Sequence, residues 1–357
     1  MQYQTDDLRI TGMQESIAPE DLMTQIPLDA EISSLVFRTR REVADVIHKR
    51  DDRLLAVVGP CSIHDPQAAL DYAKRLAEQA QQFQDNLLVV MRVYFEKPRT
   101  IVGWKGLIND PHLNNTYDIN HGLATARRLL LNINQLGITA GTEYLDPITP
   151  QYVGDLVTWG AIGARTTESQ IHRQLTSGLS CPVGFKNSTD GTIQIAADAI
   201  RSSAHSHVFL SVTKQGHSAI FSTSGNPDCH IILRGGNKGT NYDAESIAST
   251  RENLDQGNIT TGIMVDMSHA NSEKQHKKQL DVCASLAQQI AAGNRDIVGV
   301  MVESNLEEGR QDIPQDLSEL AYGQSVTDAC IHWDDTKQVL TELNEAVASR
   351  RSQPKNK

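Results

Sequence analysis

The sequence lacks any CxxC pair. Its five cysteines, Cys61, Cys181, Cys229, Cys283 and Cys330, are scattered and odd in number. That argues against a disulfide framework and points to reduced, mostly buried thiols in a cytoplasmic setting. The sequence also lacks an excess of positive charge. A formal net charge of −11 argues against general nucleic-acid or anionic-membrane binding, so any basic cluster has a local purpose. No apolar run approaches membrane-spanning length. The opening MQYQTDDLRI is polar and acidic, unlike a secretory signal. No GxGxxG follows a strand-like run, which weakens a dinucleotide site, and no internal repeat is visible. What is left is an ordinary soluble composition, 39% hydrophobic and 22% charged, in 357 residues. Such a chain forms two modest domains or one large α/β domain.

One stretch organises the rest. Leu54 to Val58 reads as a buried strand, Gly59-Pro60 stops it, Cys61 follows, and Asp65-Pro66 starts a helix. Ahead of it, residues 29–50 read as a helix through Ile32, Leu35, Val36, Val43, Val46 and Ile47, an extension that caps a domain or packs on a partner. Behind it, strand-like runs recur at 54–59, 86–93, 138–144, 161–165, 182–186, 207–212, 218–223, 230–234, 262–268 and 297–303. Helical patterns separate most of them. One follows Asp65, one is closed by Gly137, one begins at Thr149-Pro150 and runs through Val157, and others cover 191–204, the stretch after Ser272, and 336–350. Alternating β and α implies a parallel sheet. The pair 207–212 and 218–223 is joined by too few residues for a crossover and reads as an inserted hairpin. The other eight runs close a (β/α)8 TIM barrel, an α/β fold; an open doubly wound sheet is the alternative. The expected organisation is an extension over 1–50, the barrel over 51–350 with the hairpin at about 207–223, and a disordered tail over 351–357.

Every barrel run ends in a reactive or charged residue: Cys61, Arg92, Glu143, Arg165, Lys186, Arg234, His269 and Glu303. Strands often end in polar residues as they reach solvent, so any one of these could be structural. They sit, however, in apolar or glycine settings such as VVMRV and ILRGG, where a charge needs a partner. Two chemistries separate. Cys61, His269 and Glu303, with Asp328 nearby in a loop, offer S, N and O donors to a divalent cation such as Mn, Fe, Co or Zn. The ordinary alternative is a buried thiol, a capping histidine and solvated acids. Arg92, Arg165, Lys186 and Arg234, joined by Lys97, Arg99 and Thr100, suit phosphate and carboxylate oxygens; Lys97 and Arg99 could equally be a solvated loop pair. Together they describe a metal-assisted enzyme for phosphorylated, carboxylated small molecules. Aldol condensation, phosphate-ester hydrolysis and isomerisation stay open on these grounds.

The segments GPCSIHD (59–65), MRVYFEKPRTIVGWKG (91–106), GAIGARTTESQIHR (160–173), CPVGFKN (181–187), HIILRGG (230–236), DMSHAN (266–271), VMVESN (301–306) and SVTDAC (325–330) closely resemble the metal-dependent, feedback-regulated bacterial and yeast type of 3-deoxy-D-arabino-heptulosonate-7-phosphate (DAHP) synthase. The resemblance spans nearly the whole chain. It implies condensation of phosphoenolpyruvate with D-erythrose 4-phosphate and water to DAHP and phosphate, the entry to the shikimate pathway. It implies Cys61, His269, Glu303 and Asp328 as ligands of one divalent metal. Arg165, Arg234 and the Ala164 backbone would take the phosphoenolpyruvate phosphate, and Arg92, Lys97 and Lys186 its carboxylate. Arg99 and Thr100 would contact erythrose 4-phosphate, Glu143 would order a water, and Lys97 would serve as the acid. It also implies an aromatic amino-acid inhibitor near Asp6, Asp7, Pro150, Gln151, Ser180, Phe209 and Ser211, and a homo-oligomer, dimers pairing into tetramers. Phe209 to Lys214 resembles the phenylalanine-sensitive form, whereas Pro147 resembles the tyrosine-sensitive one. Ser188 stands where glycine is usual, and the loop Glu307–Ser318 departs from the pattern, neither expected to touch a proposed ligand. The competing readings are a sister condensation using arabinose 5-phosphate and a non-catalytic barrel that senses an anionic metabolite.

Overall fold

A computed structural model describes residues 3–98 and 103–353. Arg99 and Thr100 lie outside the described residues. The strands are Leu54–Gly59 (β1), Leu87–Arg92 (β2), Thr139–Glu143 (β3), Val157–Ile162 (β4), Val183–Lys186 (β5), Val208–Val212 (β6), Ser218–Ser222 (β7), Cys229–Leu233 (β8), Ile263–Asp266 (β9) and Ile297–Glu303 (β10). The helices are Pro19–Gln25 (α1), Ala30–Ile47 (α2), Pro66–Gln82 (α3), Ile119–Gln135 (α4), Pro150–Val153 (α5), Gln170–Gly178 (α6), Gln194–Ser203 (α7), Ala244–Gln256 (α8), Gln279–Ala291 (α9) and Trp333–Ser352 (α10). Eight parallel strands close in the order β1-β10-β9-β8-β5-β4-β3-β2, while β6 and β7 form a separate antiparallel pair. The (β/α)8 barrel with an inserted hairpin is therefore present.

β1 shows why these strands can be apolar throughout. Leu54, Ala56 and Val58 join the layer between barrel and helices, whereas Leu55 and Val57 point into the barrel interior with Leu88, Trp159 and Met264. Period-2 alternation thus feeds two cores at once. The same interior cluster includes Val43, Val46 and Ile47 of α2. Asp29 caps α2, accepting from the Ile32 N–H at 2.8 Å. Arg40 donates to the Val157 carbonyl at 2.9 Å, and the Gly262 N–H donates to the Ile47 carbonyl. The helix caps the amino end of the barrel.

Three local expectations are corrected. The strand expected at 161–165 is Val157–Ile162, and the helix expected to run from Pro150 through Val157 is four residues plus a 3-10 turn, Gly154–Leu156. Val157-Thr158-Trp159 is β-branched and aromatic, and pairing of Val157 and Trp159 with β3 settles it as strand, with β5 pairing the next three residues. Helices α6 and α8 were not read from the sequence. Each buries few large apolar residues, Leu175 in one and Ile247 with Leu254 in the other, so neither shows a clear stripe. Two residues expected in a disordered tail are ordered, and residues 354–357 lie outside the described residues. Arg351 and Ser352 are still helical, and Arg351 donates to Asp52 Oδ1 at 3.0 Å and Asn86 Oδ1 at 2.6 Å.

Candidate active site at the carboxyl ends of the strands

Because the strands are parallel, their carboxyl ends share one mouth. Arg92, Glu143, Lys186 and Glu303 are the last residues of β2, β3, β5 and β10; Arg234 lies just past β8, and Cys61, Arg165 and His269 two or three residues past β1, β4 and β9. One cleft in that mouth is lined by Arg92, Lys97, Glu143, Arg165, Lys186 and Arg234, with Ala164, His269 and Asp328 completing its wall. Gly59 makes the close packing possible: a Cβ there would come within 2.6 Å of the Arg92 carbonyl oxygen.

Beneath the cleft the thiol of Cys61 and the carboxylates of Glu303 and Asp328 place donor atoms within 4.8 Å of one another. Cys61 and Glu303 are buried and Asp328 is exposed. His269, expected as the fourth member, stands at the edge of this group. Its Nε2 is 3.9 Å from Glu303 Oε1, and its Nδ1 pairs with Asp266 Oδ2 at 2.8 Å. Lys97 Nζ donates to Cys61 Sγ at 3.1 Å. Burial, reinforced by Glu303, pushes the Cys61 thiol up to about 11. For Glu303, burial favours the neutral acid, but His269, Arg92 and Lys97 outweigh it and hold the carboxyl at about 2. The donor set fits a borderline cation: one soft sulfur, two hard carboxylates and an imidazole already oriented by a carboxylate.

Two buried ion pairs hold the cationic wall. Arg92 donates to Glu303 Oε1 at 2.9 Å and to the Pro60 carbonyl at 3.1 Å, with its guanidinium carbon 3.6 Å from the Tyr94 ring centroid. Lys186 pairs with Asp266 at 2.9 Å. Asp266, fully buried, therefore serves Lys186 and His269 together. The sequence reading passed over it, although a charge inside the apolar run IMVDM was a visible signal. Arg165, by contrast, makes no hydrogen bond or ion pair among the described residues. Among the described residues, Arg234 has only its neighbour's carbonyl at 3.4 Å for its guanidinium. These two are presented to a ligand.

Glu96 was also missed. It is buried beside Lys97 and accepts from the Thr149 hydroxyl at 3.1 Å. Burial and the nearby Asp146 push its carboxyl up to about 8. A raised carboxyl pKa favours the folded state most below the unfolded value. Stability is lost as pH rises from about 4.5 toward 8 and is flat beyond. Glu96→Gln is expected to remove that loss, so its melting temperature relative to the parent should climb between pH 5 and pH 8, by no more than about 4 kcal/mol equivalent. Thermal melts at four or five pH values check this; a constant difference would contradict it.

A second cavity lies between the hairpin, α5 and the end of α6. Pro150, Gln151, Ser180, Phe209 and Ser211 all line it, so five of the seven residues expected near an inhibitor are brought together. Lys214 of the hairpin segment donates to the Gln151 carbonyl. Asp6 and Asp7 are exposed and do not line the cavity. Phe209 also meets Phe221 across the hairpin, with ring centroids 6.2 Å apart, so ordinary packing and cavity lining coexist in this side chain. Ser188 donates its hydroxyl to Asp190 and needs no left-handed backbone.

Barrel, donor cluster and cationic cleft define a metal-assisted (β/α)8 enzyme for anionic substrates. Comparison with known proteins makes this specific. Residues 25–341 match the DAHP synthetase I family, and the chain belongs to that family. It is a transferase, and the family is metal-dependent. The chain is 57% identical over 351 residues to the Phe-sensitive phospho-2-dehydro-3-deoxyheptonate aldolase of Escherichia coli K12, covering 98% of this chain and all of that one. It is 52% identical over 346 residues to the Trp-sensitive protein of Salmonella typhi, covering 97% and 99%. A solved phospho-2-dehydro-3-deoxyheptonate aldolase from Francisella tularensis SCHU S4 superposes with a TM-score of 0.94 at 50% identity, over 96% of this chain and 100% of that one. No described helix is long and apolar enough to cross a membrane.

Proposed function

We propose that this chain condenses phosphoenolpyruvate with D-erythrose 4-phosphate and water to DAHP and phosphate, the first step of the shikimate pathway, as a cytoplasmic enzyme. The observation that carries the reading is the juxtaposition of two cation groups with one donor cluster. Arg165 and Arg234 are free to take a phosphate, while Arg92, Lys97 and Lys186 stand a short way off for a carboxylate. Phosphoenolpyruvate carries those two anions on adjacent atoms. Cys61, Glu303 and Asp328, with His269 at the edge, would hold one divalent ion, Mn, Fe, Co or Zn, which polarises the aldehyde as a Lewis acid when bound. Binding of phosphate and carboxylate by separate cation groups of one cleft fixes the enol so that C3 faces the aldehyde carbon. Glu143, whose carboxylate lies against Gly163 in the same cleft, orders the water that adds at C2. Lys97 delivers a proton toward the new alkoxide; its pKa is raised because the acidic surroundings of Cys61 and Glu303 outweigh burial. Arg99 and Thr100 are assigned to the aldose phosphate by resemblance alone.

Competition between erythrose 4-phosphate and arabinose 5-phosphate tests the substrate. Turnover should follow the four-carbon aldose, and preference for the pentose would move the chain to the sister condensation.

Phenylalanine is the proposed feedback inhibitor, and the cavity under the hairpin its site. The cluster of Pro150, Gln151, Ser180, Phe209 and Ser211 supports this, as does the similarity to a Phe-sensitive relative. Ser180 is exposed at the cavity rim, so a bulky residue fits there without disturbing the core. Ser180→Trp is expected to weaken inhibition by phenylalanine at least about tenfold with kcat unchanged, because the side chain would occupy the ligand's volume. Inhibition curves for both forms decide; equal sensitivity would move the inhibitor elsewhere. A homo-oligomer, a dimer of dimers, is proposed because β6 and β7 expose Val208, Leu210 and Ile220 on one face, and the extension exposes Leu8, Ile10 and Met13.

A further inference from the structure

A second chamber opens from the outer side of Arg165 and Arg234. Its remaining basic side chains are Lys274, His276 and Arg310, and Ser268 and Ser272 also line it. Asp328 is the one carboxylate on its wall. The charge balance of the two chambers differs. In the inner cleft, Arg92 and Lys186 are matched by buried carboxylates and Lys97 donates to the Cys61 sulfur, while Arg165 and Arg234 line both chambers. In the outer chamber the ammonium of Lys274 has no protein partner among the described residues. His276 is 3.9 Å from Glu308, and Arg310 pairs only with exposed Asp312. Lys274 is held in a left-handed turn (φ 61°) whose N–H donates to the His269 carbonyl at 2.8 Å. Lys274, His276 and Arg310 thus join Arg165 and Arg234 around one chamber of a protein whose net charge is −11, a local basic cluster that favours an anion there. Arg310 lies in the Glu307–Ser318 loop, so this departure from the family pattern, expected to lie clear of the proposed ligands, instead comes beside His269 and Asp328.

We propose that the outer chamber is a phosphate-binding site that receives inorganic phosphate as it leaves the reaction. The proposal rests on the condensation argued above. In the last step the C2 hydroxyl of the hemiketal phosphate loses its proton and the C2–O bond to phosphorus breaks. C2 becomes a ketone, and phosphate departs with the bonding pair. That phosphate sits on Arg165 and Arg234, which face both chambers. Lys274, His276 and Arg310 then offer it a second set of charges on the solvent side. It can leave without crossing the cleft that holds the product.

Lys274→Ala with Arg310→Ala tests this, since both residues are exposed and outside the catalytic cleft. Inhibition by inorganic phosphate is expected to weaken about tenfold, each exposed cation giving a few-fold, with the KM values of both substrates within about twofold of the parent. Unchanged phosphate inhibition in an active variant would overturn the proposal. So would a tenfold rise in the KM for erythrose 4-phosphate with phosphate inhibition intact, which would make the chamber an aldose-phosphate subsite. Phosphorus NMR line broadening of inorganic phosphate provides a readout that needs no turnover. Broadening by the parent that falls several-fold in the variant, the remainder being due to Arg165 and Arg234, supports the site; equal broadening by both contradicts it, whether or not the parent condenses the two substrates.

Discussion

Replacing Cys61 with alanine is expected to lower kcat/KM by about a thousandfold while leaving the fold intact. The reasoning starts from the donor cluster. Cys61 supplies its only sulfur, and the carboxylates of Glu303 and Asp328 alone form a weaker, harder site for a borderline ion. Lewis-acid stabilisation of the developing alkoxide is worth several kcal/mol, and each 1.36 kcal/mol is tenfold. Structural damage should be small, because alanine is shorter than cysteine by one sulfur. The Cys61 N–H keeps its contact to Cys330 Sγ at 3.4 Å. Cys330→Ala is the control. It removes a thiol equally buried and adjacent in space but outside the donor group, and should keep both bound metal and most of the activity. Metal analysis of the purified variants, beside steady-state rates, checks the pair. A Cys61→Ala protein with normal metal content and turnover would remove the thiol from the site.

The largest effect on stability is expected at Arg92. Its guanidinium is 1% exposed, bonds the fully buried Glu303 carboxylate, and covers the Tyr94 ring. Arg92→Ala leaves that carboxylate with the Ser268 hydroxyl at 2.8 Å and a more distant imidazole. Breaking a buried pair from one side costs about 3–5 kcal/mol, mostly from the stranded charge. Turnover at micromolar phosphoenolpyruvate should vanish as well, since the carboxylate loses its fork. Arg92→Lys should recover little, because an ammonium cannot serve Glu303 and the Pro60 carbonyl in one plane. Adding Glu303→Gln to Arg92→Ala should restore much of the stability and none of the activity. Denaturant titrations on the four members of this cycle separate the two effects; a second change that deepened the loss would contradict the stranded-charge explanation.

The barrel was legible because buried parallel strands are short, apolar and regularly spaced, and because Gly59-Pro60 and Asp65-Pro66 mark an end and a start within eight residues of Val58. Reading the residue at each strand end found both sides of the site: Cys61, Glu303 and the arginines. What was not legible depends on partners far apart in sequence. Val157-Thr158-Trp159 reads as the end of a helix until β3 claims it. Asp266 has no role in the sequence until the fold sets it between Lys186 and His269. Glu96 looks like one charge of an exposed EKPR loop, yet it is buried against Thr149. His269 reads as one of the donor set, but the carboxylate behind it does not show in the sequence: Nδ1 pairs with Asp266 at 2.8 Å, and Nε2 stands 3.9 Å from Glu303. The inhibitor cavity was reached through resemblance, since nothing local in Pro150, Ser180 or Ser211 announces a binding site. The outer chamber was invisible for the same reason: Lys274 and Arg310 meet only through the barrel.

The account stands most directly on phosphoenolpyruvate consumption by the purified chain, followed with and without erythrose 4-phosphate and with and without a strong chelator. Loss of phosphoenolpyruvate should require the aldose phosphate, stop when chelator is added, and resume with Mn²⁺. Consumption that continues in chelator would contradict the metal-assisted mechanism, and no consumption with both substrates and Mn²⁺ present would contradict the condensation itself.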